Sequence, residues 1–220
     1  MRGFIMLAGA AFLSGCAAMS KDECLYADWN AVGYEDGAAG KPVSAVSSRR
    51  AACAKKAGVT LDFAAYSAGR EQGLRVFCDP SNGYALGARG GAYYGVCTGA
   101  SEDEFLTAFE AGRHLYDLER GVASIEAQLR QAHYDLRGLE HDIAATETAL
   151  VSTGPTYAER LELLAELKLL SEEKGNIETA IIALNRDHVR AQDDLAEYRD
   201  HLAYNGPYQR GATGASPVNY

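Results

Sequence analysis

The chain has 220 residues, enough for one domain with an extension and for a buried core. A formal net charge of −9 at pH 7, with no run of Lys or Arg, argues against nucleic acid as a partner. Composition is otherwise that of an ordinary soluble protein, apart from 23 glycines.

Arg2 opens a short positive region, Phe4 to Leu13 is apolar, and Ser14 and Gly15 are small. A membrane span needs about 18 or more apolar residues, so residues 1–15 read as a secretory signal peptide. Leu13-Ser14-Gly15-Cys16 resembles the lipobox of bacterial lipoproteins. That resemblance implies cleavage before Cys16 and a lipid, palmitate included, on Cys16 as the first mature residue. Ala17 in the next position implies an outer-membrane protein facing the periplasm, by the rule of enteric bacteria.

With Cys16 assigned to lipid, Cys24, Cys53, Cys78 and Cys97 remain. An even number of cysteines in an exported segment reads as two disulfides, and their spacing is too wide for a CxxC redox or zinc pattern. Three pairings exist. Cys24–Cys53 with Cys78–Cys97 is favoured because both bridges close local loops.

Ser20-Lys21-Asp22-Glu23 has the form of a capping box, so a helix is expected to run through Cys24, Asp28 and Trp29 toward Gly37. After a loop at Gly40-Lys41-Pro42, Ser44 to Lys56 forms a second helix, with Gly58 at its left-handed C-terminal position. Thr60 is placed to cap a third helix, with Asp62 in its first turn and an end near Gly73 to Phe77. Asp79-Pro80-Ser81-Asn82-Gly83 carries turn chemistry, and Tyr84 to Cys97 fits helix or irregular structure equally.

An aromatic residue stands three before a glycine at Tyr34/Gly37, Tyr66/Gly69, Tyr84/Gly87 and Phe109/Gly112. Such glycines admit a neighbouring backbone to one helix face while the ring covers the gap. Close packing is the main reading. The alternative is a groove for a sugar or peptide, lined by Trp29, Tyr34, Tyr66, Arg70 and Tyr84.

Several of these pieces together resemble one family of bacterial envelope lipoproteins, the domain of unknown function 2799. The residues concerned are Cys24…Asp28-Trp29, Gly33-Tyr34-x-Asp36-Gly37, Cys53 and Asp62…Tyr66-x-x-Gly69-Arg70-x-x-Gly73-Leu74. Cys78, Asn82-Gly83-Tyr84 and Tyr94-Gly95-Val96-Cys97 complete them. The resemblance covers roughly residues 20–116 and implies a cysteine-bearing lipoprotein domain, with no reaction, cofactor or site attached.

The remainder is strongly periodic. Ser101 to Glu104 forms a second capping box, and apolar residues then fall at alternating spacings of three and four from Leu115 to Leu150. Ser152-Thr153-Gly154-Pro155 breaks the pattern, and Thr156 with Glu159 caps a new helix. That helix repeats the spacing from Leu163 and Leu167 through to Leu202. Residues 101–204 hold 22 acids and 10 bases, a net −12, whereas residues 17–100 hold eight acids and nine bases. The expected fold is therefore mainly α: a small disulfide-bonded helical head, residues 16–100, followed by a long antiparallel coiled-coil hairpin, residues 101–204. Each arm would be about 70 Å long. The tail, 205–220, is expected to be disordered. Leu161, Leu169 and Ile182 are not needed by the seam and form an expected interaction stripe, with self-association as its simplest use.

Chemistry is sparse. No phosphate loop, HExxH, GxSxG or metal-ligand spacing occurs, so no cofactor or metal is expected. All five histidines lie in the hairpin, His133 and His141 off the seam and His188 on it. Asp28, Glu35, Asp36, Asp62, Arg70 and Asp79 are the titratable candidates near aromatics in the head. The expectation is a lipid-anchored envelope protein of structural or interaction type, held to the membrane at Cys16 and reaching protein partners through the hairpin. The alternative is a periplasmic binding module or hydrolase for peptidoglycan or glycan fragments, working with paired carboxylates.

Overall fold

The computed structural model describes residues 19–205. Residues 1–18, which include the expected signal peptide and Cys16, and residues 206–220 lie outside the described residues. Seven helices and no strand occur among the described residues. They fall into two compact units that interleave along the chain. Among the described residues, one holds residues 19–79 together with Tyr93–Glu104; the other holds Pro80–Ala92 together with residues 105–205. This differs from the single boundary at residue 100 expected from the sequence, because residues 80–92 pack with the first long helix.

In the first unit, α1 (Lys21–Tyr26) starts on a complete capping box, with Glu23 N–H donating to Ser20 Oγ and Ser20 N–H to Glu23 Oε2. The helix expected to continue to Gly37 is in fact two. Ala27 is extended, and the Asp28 carboxylate accepts the N–H groups of Asn30 and Ala31, so it caps a new helix, α2 (Trp29–Ala38). The next helix, α3 (Ala45–Ala57), ends on left-handed Gly58. For α4 (Phe63–Phe77), Asp62 rather than Thr60 is the cap, accepting Ala65 N–H at 2.9 Å. Disulfide Cys24–Cys53 ties α1 to α3 and sits in a core with Trp29, Val46, Leu61 and Tyr66. Disulfide Cys78–Cys97 ties the end of α4 to the segment before the first long helix. There Tyr93 Oη accepts the Cys97 N–H and donates to Glu102. These are the two pairings that loop closure favours.

In the second unit, the expected turn at Asp79–Gly83 is the start of a helix, α5 (Pro80–Ala88), with Pro80 in the first helical position, where its missing N–H costs nothing. The first long helix, α6 (Ala100–Val151), begins before Ser101. Ser101 donates to the Thr98 carbonyl and is not the cap expected of it. The second, α7 (Tyr157–Asn205), starts on the Thr156/Glu159 box, as its sequence indicates. Contacts between α6 and α7 run in reverse order along the two helices. Arg160 reaches the Leu150 carbonyl, Lys174 reaches Glu140, His188 reaches Glu126 and Arg199 reaches Glu119. Thr146 on α6 and Ile181, Leu195 and Leu202 on α7 are buried.

Candidate functional site

The most concentrated chemistry in the first unit surrounds Asp36, on α2, which is 1% exposed. Its Oδ1 accepts Lys41 Nζ at 3.0 Å, while Oδ2 accepts Arg49 Nη1 and, at 3.1 Å, Tyr66 Oη. The three donors come from the turn after α2, from α3 and from α4, so one carboxylate joins three segments. Burial alone would raise the pKa of Asp36, but hydrogen bonds from Arg49 and Lys41, and their charges, hold it below the ordinary carboxylate range. Burial, with the charge of Asp36 beside it, raises the Tyr66 phenol. A buried carboxylate with three donors is poorly placed to take a proton from a substrate. The arrangement is suited to holding helices together.

The second feature is the approach of helices through glycine. On α2 and α4, a Cβ at Gly33 would overlap the Tyr66 carbonyl, at Gly37 that of Arg70, and at Gly69 and Gly73 those of Asn30 and Tyr34. Rising numbers on one helix meet rising numbers on the other, so the two run in the same sense. The same construction recurs in the second unit. A Cβ at Gly87 would overlap the Phe109 carbonyl, and one at Gly112 that of Tyr84. Both pairs end alike: Gly40 and Gly90 have positive φ, and Lys41 N–H and Gly91 N–H donate back to the carbonyls of Asp36 and Leu86. The rings of Phe77 and Tyr116 occupy the space a side chain on those two glycines would need.

Superposing the motifs matches Gly33-Tyr34-Glu35-Asp36-Gly37-Ala38 with Gly83-Tyr84-Ala85-Leu86-Gly87-Ala88. Tyr66 then corresponds to Phe105, which is fully buried, and Asp36 to Leu86, also buried. The hydrogen-bonded Asp–Tyr pair of one copy is thus an apolar Leu–Phe pair in the other. The aromatic–glycine repeat in the sequence marks this duplication but misphases it, because Phe109/Gly112 corresponds to Arg70/Gly73 rather than to Tyr66/Gly69.

Residues 28–114 match a family model described as a protein of unknown function, DUF2799. This segment is similar to the DUF2799 family. It runs from the Asp28 cap of α2 to two residues past Gly112, so it takes in both glycine-backed pairs and leaves the rest of α6 and all of α7 outside. No curated protein and no solved structure matches the chain.

Of the alternative groove residues, those of the first unit do not share one surface. Trp29 and Tyr66 are buried in the core of the first unit and cannot line a groove. Tyr34 is exposed, Arg70 is half-buried with Nη2 on the Lys41 carbonyl at 2.7 Å, and Tyr84 belongs to the other unit. Asp28 and Asp62 are helix caps. Leu161, Leu169 and Ile182 are exposed on α7, at 51%, 66% and 71%. At 100° per residue Leu169 lies about 80° round the helix from Leu161, on the side away from Ile182. Sequence reasoning flagged Asp36 without its partners; the usable signal was the match of the two Gly-Tyr hexapeptides at four of six positions.

Proposed function

We propose that the chain is a lipid-anchored protein of the bacterial cell envelope, structural or interacting rather than catalytic. In this reading residues 1–15 direct export, Cys16 carries the lipid, and the mature chain faces the periplasm from the outer membrane. The observation that carries it is the distribution of cysteines. Cys24–Cys53 and Cys78–Cys97 use four of the five, and the remaining one is the cysteine of the lipobox-like Leu13–Cys16. Disulfides of this kind suit an oxidising compartment. We read α6 and α7 as an antiparallel coiled-coil hairpin, supported by their three-and-four spacing and their reversed order of contacts. Its role is to engage another protein chain. The binding-module or hydrolase reading has less support, since two of the aromatics it needs, Trp29 and Tyr66, are core residues and the buried Asp36 carboxylate is fully paired.

A Cys16→Ala chain tests this. The precursor should retain residues 1–15, fail to incorporate labelled palmitate and leave the membrane fraction. Normal processing and membrane retention of that variant would overturn the anchor.

A further inference from the structure

We propose that the Cys78–Cys97 disulfide is a thiol-exchange site, opened by an external dithiol through a groove on the first unit, and that its opening releases Tyr93–Glu104 from that unit. The inference holds with or without a lipid on Cys16, since it rests on the two bridges alone. Cys24 and Cys53 are 1% and 0% exposed and lie in the core with Trp29 and Tyr66, so a reductant reaches that bridge only when the unit opens. Cys78 is 7% exposed and Cys97 2%. Both line a surface groove with Leu74, Arg75, Val96 and Thr98, all residues of the first unit. The bridge joins the end of α4 to a stretch, residues 91–98, that is neither helix nor strand. Within that stretch the Cys97 N–H donates to Tyr93 Oη at 2.9 Å, a contact between neighbours that does not reach α4. The disulfide is the covalent link that fixes the stretch to α4, and opening it removes that hold.

Two other effects are too small, or of the wrong sign, to decide which bridge opens. The bridges span 29 and 19 residues, which changes loop closure by only about twofold and favours the shorter, Cys78–Cys97, staying closed. In the groove Arg75 pairs with Glu71 at 3.7 Å, so their charges largely offset near the sulfurs. Access therefore decides. A thiolate of the dithiol attacks Cys78 Sγ, the S–S bond breaks, and its electron pair leaves on Cys97 Sγ. The second thiolate then attacks the mixed disulfide, which frees the Cys78 thiolate and closes the dithiol into its own disulfide. The two protons of the dithiol end on Cys78 and Cys97, so the protein gains the two electrons that the dithiol loses.

The test uses the full chain, purified in detergent and treated with dithiothreitol without denaturant, with samples alkylated and peptide-mapped over time. Cys78 and Cys97 should be alkylated about a hundredfold faster than Cys24 and Cys53, which wait for the unit to open. Thr98→Trp, which fills the groove from an exposed position, should slow the opening of Cys78–Cys97 by about tenfold and leave Cys24–Cys53 unchanged. Once the bridge is open, hydrogen exchange over residues 91–99 should quicken by about tenfold while that of α4 stays the same. Opening of both bridges at one rate, opening of Cys24–Cys53 first, or no effect of Thr98→Trp would overturn exchange through the groove. Unchanged hydrogen exchange over residues 91–99 would overturn the release.

Discussion

The replacement of Asp36 and Tyr66 by Leu86 and Phe105 in the second glycine-backed pair suggests a double-mutant cycle. Asp36→Leu alone removes the acceptor of the buried Tyr66 hydroxyl and leaves Arg49 and Lys41 without their counter-ion. Breaking a fully buried pair costs about 3–5 kcal/mol, but the Lys41 side chain is 46% exposed and that of Arg49 25%, so both can rehydrate. The expected loss is about 2–3 kcal/mol. Tyr66→Phe alone removes one hydrogen bond to a charged group, about 1.5 kcal/mol. In the double variant no buried polar atom of the pair is left unsatisfied, and the apolar couple matches the one that unit two already packs. Its loss should be about 2 kcal/mol, well below the sum of the singles, which gives a coupling near 2 kcal/mol. Trp29 is the only tryptophan of the chain and is buried in the same core, so its fluorescence in urea reports this unit without interference from the long helices. A coupling under about 0.5 kcal/mol would refute the claim that these side chains act as one polar unit.

Acid should act on the same cluster. The Asp36 pKa is lower in the folded state than in the unfolded one, so its contribution is present above the unfolded value and is lost as pH falls through the folded value. Urea titrations followed by Trp29 should lose stability below about pH 4, less steeply in the Asp36→Leu, Tyr66→Phe variant; identical slopes would contradict this. Gly73→Ala should destabilise the first unit by about 2–3 kcal/mol, because the added methyl overlaps the Tyr34 carbonyl, an atom of backbone that cannot swing aside. Gly138→Ala, where nothing stands within 4 Å, should instead stabilise the second unit by about 0.5–1 kcal/mol, read from its thermal melt by circular dichroism.

What the sequence made legible was local or periodic. The Ser20/Glu23 and Thr156/Glu159 boxes, the αL end at Gly58 and the spacing from Leu115 to Leu202 each depend on residues a few positions apart. Errors arose where two local solutions compete. Asp28 and Asp62 each out-compete their surroundings as caps, splitting the first helix and displacing Thr60, and Pro80 serves a helix start as readily as a turn. The Asp36 cluster was not legible, since its donors lie 5, 13 and 30 residues away and only packing of α2, α3 and α4 brings them together. The alternative reading of Trp29, Tyr34, Tyr66, Arg70 and Tyr84 as a groove came from the same limitation. Aromatic residues beside glycine mark a close helix contact, and sequence does not show which side of the ring is covered.

Export and anchoring at Cys16 are tested most directly by peptide mass mapping. The chain is taken from envelope membranes and digested without reduction. The mapping should find an N-terminal peptide that begins at a lipid-bearing Cys16, with Cys24 linked to Cys53 and Cys78 to Cys97. Recovery of peptides from residues 1–15 joined to an unmodified Cys16 in the mature protein would contradict the anchoring.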